Sequence, residues 1–289
     1  MLYAPRDVRV EQREDPRIAE PADAIIRLSA SCVCGSSDNT CEICRAGYQS
    51  SCVHRVGIGG LGAQAQYLRV PLADGTLVAT PDLPADDLIP GLLAASDVLG
   101  TGWFAAVAAQ VEPGKTVAVV GDGAVGLLGV LAARQLGAER IIAMSRHADR
   151  QQIARAYGAT DVVTERGDEG VARIKDLTGG LGAHSVIEAV GTQESMMQAI
   201  RATRPGGHVG YVGVAHDVAL PGSELFFSHV HLHGGPAPVR RFLPELIDLI
   251  IERAIDPARV FDLTLPLDQA PEGYRAMDER RAIKVLLQP

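Results

Sequence analysis

Residues 116–138 read TVAVVGDGAVGLLGVLAARQLGA. A run of β-branched residues, Thr116–Val120, leads into Gly121-x-Gly123-x-x-Gly126, and strong helix formers follow. By itself the glycine pattern is weak. Between a strand and a helix it is the fingerprint of a dinucleotide-binding βαβ unit. Gly121 makes the tight turn, Gly123 lets the backbone approach a pyrophosphate, and Gly126 lets helix and strand pack closely. The backbone of Ala124 and Val125 completes the helix N-terminus, whose N–H groups and dipole favour phosphate. The bland alternative, a glycine-rich turn with no ligand, lacks this context.

The choice of dinucleotide is made at the end of the next strand. An NAD site places Asp or Glu about 20 residues on, where it holds the ribose 2′-hydroxyl. Here RIIAM, residues 140–144, ends in Ser145-Arg146-His147, with no carboxylate. A hydroxyl and a guanidinium suit a 2′-phosphate, which a carboxylate would repel. The expected cofactor is therefore NADP, with NAD the less favoured choice.

Outward from this unit the texture is regular. Apolar strands alternate with helical patterns from about residue 86 to 255: RIIAMS, TDVV, HSVIEAVG, HVGYVGV and HVHLHGG, with a helix over FLPELIDLIIER. This alternation predicts a parallel sheet with covering helices. Residues 1–85 are short apolar runs broken by Pro, Gly and Asp, such as AIIRLSA and AQYLRVPL, and read as β-rich. The tail, 256–289, returns to strand-and-turn texture and is expected to rejoin the first segment. The fold class is α/β: a Rossmann doubly wound parallel sheet plus a β-rich, barrel-like catalytic domain that is incomplete.

A net charge of −8 argues against a nucleic-acid or anionic-membrane partner, since both need a basic face. The opening MLYAPRDVRV is charged and lacks the apolar core of a secretory leader. No apolar run reads as the roughly 18 residues needed to span a bilayer. A cytoplasmic location is the expectation. All five cysteines, Cys32, Cys34, Cys41, Cys44 and Cys52, fall in one short stretch. An odd count in such a chain argues against disulfides, and the spacing argues for metal.

With these motifs in order, the chain resembles the zinc-containing medium-chain alcohol dehydrogenases over nearly its whole length. Cys34-Gly35-Ser36 resembles that family's first catalytic-zinc ligand and the hydroxyl of its proton relay. NTCEICRAGYQSSC, residues 39–52, resembles its structural-zinc lobe. Asp97, in SDVLGTGWFAA, sits where the family places another catalytic-zinc ligand. Ala189, Val190 and Gly191 of EAVG, Val212 and Gly213, and the RPGG turn resemble its cofactor domain. Lys284 falls where the family often has a basic residue facing the pyrophosphate. The resemblance implies reversible hydride transfer between a nicotinamide and a small alcohol, aldehyde or ketone. Zinc would act as Lewis acid on the substrate oxygen, and Ser36 would pass the proton on. SELFFSHVHLHGG reads as the last strand of the sheet. Because an apolar edge strand is a pairing liability, a homodimer or homotetramer is expected, with this strand pairing across a two-fold axis.

The departures from the family matter as much. Roughly fifty residues that normally separate the Cys-Gly-Ser motif from the cysteine lobe are missing, and with them a Gly-His-Glu motif that serves the catalytic zinc. Between Cys34 and Asp97 the only histidine is His54. Cys34 and Asp97 alone do not make a catalytic zinc site, which takes three protein ligands and an open position. The lobe is short as well: its first cysteine position falls at Asp38, so a site of Asp38, Cys41, Cys44 and Cys52 and an empty lobe are both open. The stretch is either part of the protein but absent from this sequence, or truly deleted. Intact flanks favour the former, because a deletion that exposed a barrel core would be costly. The competing readings are a zinc-independent quinone or enoyl reductase and, if the deletion is real, a non-catalytic NADP-binding protein.

The remaining candidates have plainer readings. Cys32, Met196 and Met197 read as core. His229, His231 and His233 alternate on an expected strand and read as a polar face or subunit contact before a metal patch. Trp103 and Phe104 read as core or pocket lining.

Overall fold

The computed structural model describes residues 2–4, 7–30, 36–56 and 63–289. It divides into two compact units: Met1–Gly100 with Pro238–Pro289, and Thr101–Ala237.

In the first unit, β1 (Leu2–Ala4) and β2 (Asp7–Val8) pair antiparallel. β3 (Ala24–Arg27) pairs with β4 (Tyr67–Val70), also antiparallel. Short helices α1 (Glu42–Arg45) and α2 (Ala73–Thr76) interrupt the segment. α3 (Ile89–Ala94) passes through a π-helical turn, Ala95–Leu99, into α4 (Gly100–Ala108).

The second unit alternates as its sequence predicts. The strands are β5 (Thr116–Val120), β6 (Arg140–Met144), β7 (Asp161–Val163), β8 (Ala183–Glu188), β9 (Thr203–Tyr211) and β10 (His231–Gly234). The helices are α5 (Ala124–Gln135), α6 (Ala148–Ala156), α7 (Gly167–Leu177), α8 (Gln193–Ala202) and α9 (Gly222–Ser228). All neighbouring strands run parallel, in the order β10-β9-β8-β5-β6-β7. That is the doubly wound arrangement, with its switch point between β5 and β8. Ala118, Ile142, Val186 and Val209 are fully buried at its centre, as strands covered on both faces require.

The chain then returns to the first unit through α10 (Val239–Ile251), β11 (Phe261–Pro266), α11 (Ala270–Asp278) and β12 (Lys284–Gln288). β11 and β12 are parallel, joined by α11, which buries Ala270 and Ala276 against Val285 and Leu287. Among the described residues, the strands of this unit form three two-stranded ladders.

Three sequence expectations change. Residues 86–100 and 238–255 carry the alternating texture of the Rossmann segment, yet they pack with the chain ends. Their apolar faces meet each other: a Cβ on Gly100 would lie 2.7 Å from Val239 Cγ1. The stretch Asp86–Ala108 forms one 23-residue helix long and apolar enough to cross a membrane, in which Asp97 interrupts the apolar run of the sequence. Some 67% of its most apolar window is buried inside the structure, as in a core helix. Finally, SELFFS is not strand. It forms α9, with Phe226 and Phe227 both 76% exposed, and only His231–Gly234 joins the sheet.

One close approach sets the position of β9. A Cβ on Gly210 would lie 2.0 Å from the Ala105 carbonyl oxygen of α4. Gly210→Ala is expected to destabilise the second unit by about 1–3 kcal/mol, through forced displacement of packed backbone. Gly222→Ala meets open space and should leave stability unchanged. Urea unfolding of both variants checks the contrast.

Candidate functional site

The C-terminal ends of β5, β6, β8 and β9 gather the residues named from the sequence. β5 runs into Gly121 at φ +114°, a left-handed turn where a Cβ would meet Val190 at 2.8 Å. Gly123 caps α5, and a Cβ there would meet nothing within 4 Å, so the loop is open where a pyrophosphate would lie. At Gly126 a Cβ would sit 2.0 Å from the Gly121 carbonyl oxygen. The three glycines thus do three different jobs, as the motif requires. Ala124 and Val125 form the first turn of α5.

Opposite this turn, the segments after β8 and β9 press together: a Cβ on Gly191 would lie 2.2 Å from the Val214 carbonyl oxygen. Glu188 holds the pair. Its Oε1 accepts the N–H groups of Val190 and Gly191 at 2.9 and 2.8 Å, and its main-chain carbonyl accepts those of Val212 and Gly213 at 2.9 and 3.3 Å. The Ala189 N–H ties the loop to Val120 O at 3.0 Å. Glu188 is fully buried. The sequence reading passed over it, although a carboxylate at the end of an apolar strand was the available signal.

At the end of β6 the arrangement is richer than the sequence suggested. Ser145 is fully buried and donates to Asp122 Oδ2 at 2.7 Å, so its proton is engaged. Asp122, the residue between the first two glycines, supplies a carboxylate that no reading of the strand end alone would find. Arg150 Nη1 lies 3.3 Å from both Asp122 O and Asp122 Oδ1. Arg146 follows Ser145 directly.

The cysteine lobe forms a compact donor set. One ligand atom each from Asp38, Cys41, Cys44 and Cys52 lies within 4.8 Å of all the others. The three thiols are buried and free of disulfides. Cys41 caps α1, with its Sγ accepting the Cys44 N–H at 3.4 Å, so the helix turn fixes the two-residue spacing. Cys41 Sγ and Cys44 Sγ stand 3.4 Å apart, and Cys52 Sγ is 3.3 Å from Asp38 Oδ1. Zinc–sulfur bonds of about 2.3 Å in a tetrahedron place sulfurs roughly 3.8 Å apart, so the set fits zinc with small adjustments. Asp38 is oriented by its neighbours: Thr40 donates from N at 3.0 Å and from Oγ1 at 2.7 Å, and His54 Nδ1 lies 2.5 Å from Oδ2. These contacts, the Thr40 N–H first, hold its carboxyl well below the usual range. His54, the lone histidine of the region, thus orients the lobe's carboxylate. Its distance in sequence from Asp38 hid the pairing.

The residues expected at a catalytic zinc are arranged otherwise. Cys34 and Cys32 lie outside the described residues. Asp97 sits in the π-helical turn, where Lys284 Nζ donates to its Oδ2 at 3.0 Å. Two residues assigned separate roles, metal ligand and pyrophosphate partner, are therefore partners of each other. Ser36 Oγ donates to Val56 O at 2.5 Å and accepts the Val56 N–H at 3.0 Å. Among the described residues, the lobe is the one group of three or more His, Cys, Asp or Glu placed to hold a metal. His231 stacks on His208 with ring centroids 4.5 Å apart, and His229 falls outside the strand. Met196, Met197, Trp103 and Phe104 are buried.

A doubly wound sheet with this glycine turn, in a chain that also carries a thiol-rich lobe, points to a dinucleotide-dependent dehydrogenase of the zinc-binding type. Residues 124–252 match the zinc-binding dehydrogenase family. A probable zinc-binding alcohol dehydrogenase of Mycobacterium tuberculosis is 33% identical over 324 positions, covering 92% of this chain and 82% of that protein. An NADP-dependent isopropanol dehydrogenase of Entamoeba histolytica is 33% identical over 206 positions, covering 69% of this chain and 55% of that protein. The structure of an alcohol dehydrogenase of Thermus sp. ATN1 superposes with a TM-score of 0.88 at 26% identity, covering 99% of this chain and 98% of the other. The chain belongs to the zinc-containing medium-chain alcohol dehydrogenase family, and is an alcohol-dehydrogenase-like oxidoreductase. The first of these alignments, at 324 positions, is longer than the 289-residue chain, so that relative carries internal sequence that is missing here.

The lobe thiols differ in acidity. Backbone N–H groups of Val53 and Cys44 lower the Cys41 thiol, and burial raises Cys44. In chelator-treated protein, Cys41 should alkylate at neutral pH while Cys44 stays unreacted, because the thiolate is the nucleophile. Iodoacetamide labelling with peptide mapping checks this. Equal labelling would contradict it.

Proposed function

We propose that this chain binds NADP(H) and transfers hydride between its nicotinamide and a small alcohol, aldehyde or ketone, with zinc held in the lobe of Asp38, Cys41, Cys44 and Cys52. The observation that carries the cofactor choice is the end of β6. Arg146 stands there with no acidic residue beside it in the chain, and the one carboxylate that reaches Ser145, that of Asp122, is committed to the Ser145 hydroxyl and to Arg150. A ribose 2′-hydroxyl would find no free carboxylate at Ser145, whereas a 2′-phosphate would find guanidinium. The NADP dependence of the Entamoeba histolytica relative agrees with this choice. Gly121, Gly123, Ala124, Val125 and Gly126 would take the pyrophosphate. Ala189, Val190, Gly191, Val212 and Gly213 would line the nicotinamide half. The dinucleotide supplies the hydride chemistry, and the protein supplies position and electrostatics. The end segments and the Rossmann unit would form catalytic and cofactor domains, and a cytoplasmic homodimer or homotetramer fits the family.

The lobe fits zinc by donor chemistry, and zinc there would tie 38–52 together as a structural site. A catalytic zinc does not fit the described residues. Asp97 pairs with Lys284, and among the described residues no group of three metal-binding side chains includes it. No step of the reaction is therefore assigned to a metal at Asp97. That same pairing favours the second reading, a member of the family whose dinucleotide site works without catalytic zinc.

Two measurements separate these readings. Arg146→Ala should weaken NADPH binding by about 1–3 kcal/mol, the loss of a charge-assisted contact, and leave NADH nearly unchanged. Equal losses for the two cofactors would count against NADP. Metal analysis of the purified chain should give one zinc per chain, lost in Cys44→Ser and kept in Asp97→Asn. Two zincs per chain would place a metal at Asp97 after all.

A further inference from the structure

We propose that Arg166 is a specificity-determining residue for the phosphorylated adenosine half of the cofactor, reaching the 2′-phosphate from the turn after β7. The inference rests on the NADP reading above and adds to it a residue outside the Ser145-Arg146 stretch.

Arg166 stands at the N-cap position of α7, in the turn that follows β7, the strand next to β6. Its Nη1 is buried and has no hydrogen-bond partner. Buried polar groups are rarely left so, and a guanidinium N–H without an acceptor is a costly one. Arg140, in the same unit, shows what a purely structural arginine does here. Its Nε and Nη2 bind Asp161 at 2.8 and 2.9 Å, and its Nη1 donates to the Leu177 carbonyl.

The surroundings of Arg166 indicate which ligand it lacks. Arg146 and the carboxylates of Asp122 and Glu194 are near enough to act on it electrostatically, and burial lowers its basicity. Arg146 and Arg166 repel each other. Asp122 offsets the repulsion by Arg146, but its oxygens serve Ser145 and Arg150, and it gives the buried Nη1 no hydrogen bond. A doubly charged acceptor with several oxygens would satisfy the buried N–H and offset the cost of burying the guanidinium. A ribose phosphate monoester has that chemistry, and an unphosphorylated ribose does not.

Calorimetric titration of the full chain with adenosine 2′,5′-bisphosphate and with 5′-AMP tests this without catalysis. The wild type should prefer the bisphosphate by at least about tenfold. Arg166→Gln should lose roughly 10- to 100-fold in bisphosphate affinity and keep its affinity for 5′-AMP, which also shows that the site is folded. Arg166→Lys should recover part of the loss. If Arg166→Gln keeps the full preference while the wild type shows it, the role of Arg166 is overturned and the NADP reading stands. Equal losses for both ligands also overturn it, since they mark a structural residue. A wild type that binds both ligands equally overturns the NADP reading, and this inference with it.

Discussion

Position 126 has room for hydrogen only, because a methyl group there would lie 2.0 Å from the carbonyl oxygen of Gly121. This contact sets how closely α5 approaches the end of β5, and the rest of the proposed dinucleotide site is built around that approach. Gly121 can make the turn because it tolerates φ +114°, and the same turn brings it against Val190 of the neighbouring strand end. The loops after β8 and β9 then have to fit around a fixed point. Glu188 fits them by accepting two N–H groups on its carboxylate and two on its carbonyl. One close contact of helix and strand thus propagates through a buried acid to the far side of the crevice.

The parts of this structure that were legible in the sequence are those with strong local periodicity. Strand runs such as TVAVV and RIIAM are apolar throughout because both faces of the sheet are covered, and their glycine turn is diagnostic in that setting. Less legible were elements whose character depends on partners distant in sequence. SELFFS has strand-like residues but forms a helix with both phenylalanines exposed. The tail helix α11 lies in a Pro- and Gly-bearing stretch, and its burial against β12 defines it. At the site, Asp122 could be read as a loop residue but not as the partner of Ser145, which lies 23 residues on. His54 and Asp38 stand 16 residues apart, and Asp97 and Lys284 stand 187 apart, so neither pairing leaves a trace in spacing.

Those two pairings show how the context of a carboxylate selects its cation. Asp38 stands among three buried thiols, with one oxygen held by His54 and Thr40 and the other facing Cys52. A histidine that binds a ligand's outer oxygen fixes the inner one in direction, the role outer partners commonly play around zinc. The donor set as a whole is soft and nitrogen-free, which suits zinc over calcium or magnesium. Asp97 has a different setting. It projects from a π-helical turn, a geometry often found at functional positions, and its partner is a lysine from the last strand.

The lysine has a physical consequence for the missing segment. A catalytic zinc at Asp97 would place a divalent cation beside an ammonium already 3.0 Å from the carboxylate. Two cations compete for one carboxylate unless further anionic or neutral ligands hold the metal, and among the described residues no third ligand is present. An aligned relative carries internal sequence that this chain lacks. The Lys284–Asp97 pair ties the π-helical turn to β12 within one unit. The setting of Asp97 therefore decides its cation: here it pairs with the Lys284 ammonium, and a metal there would need a histidine or another ligand beside it.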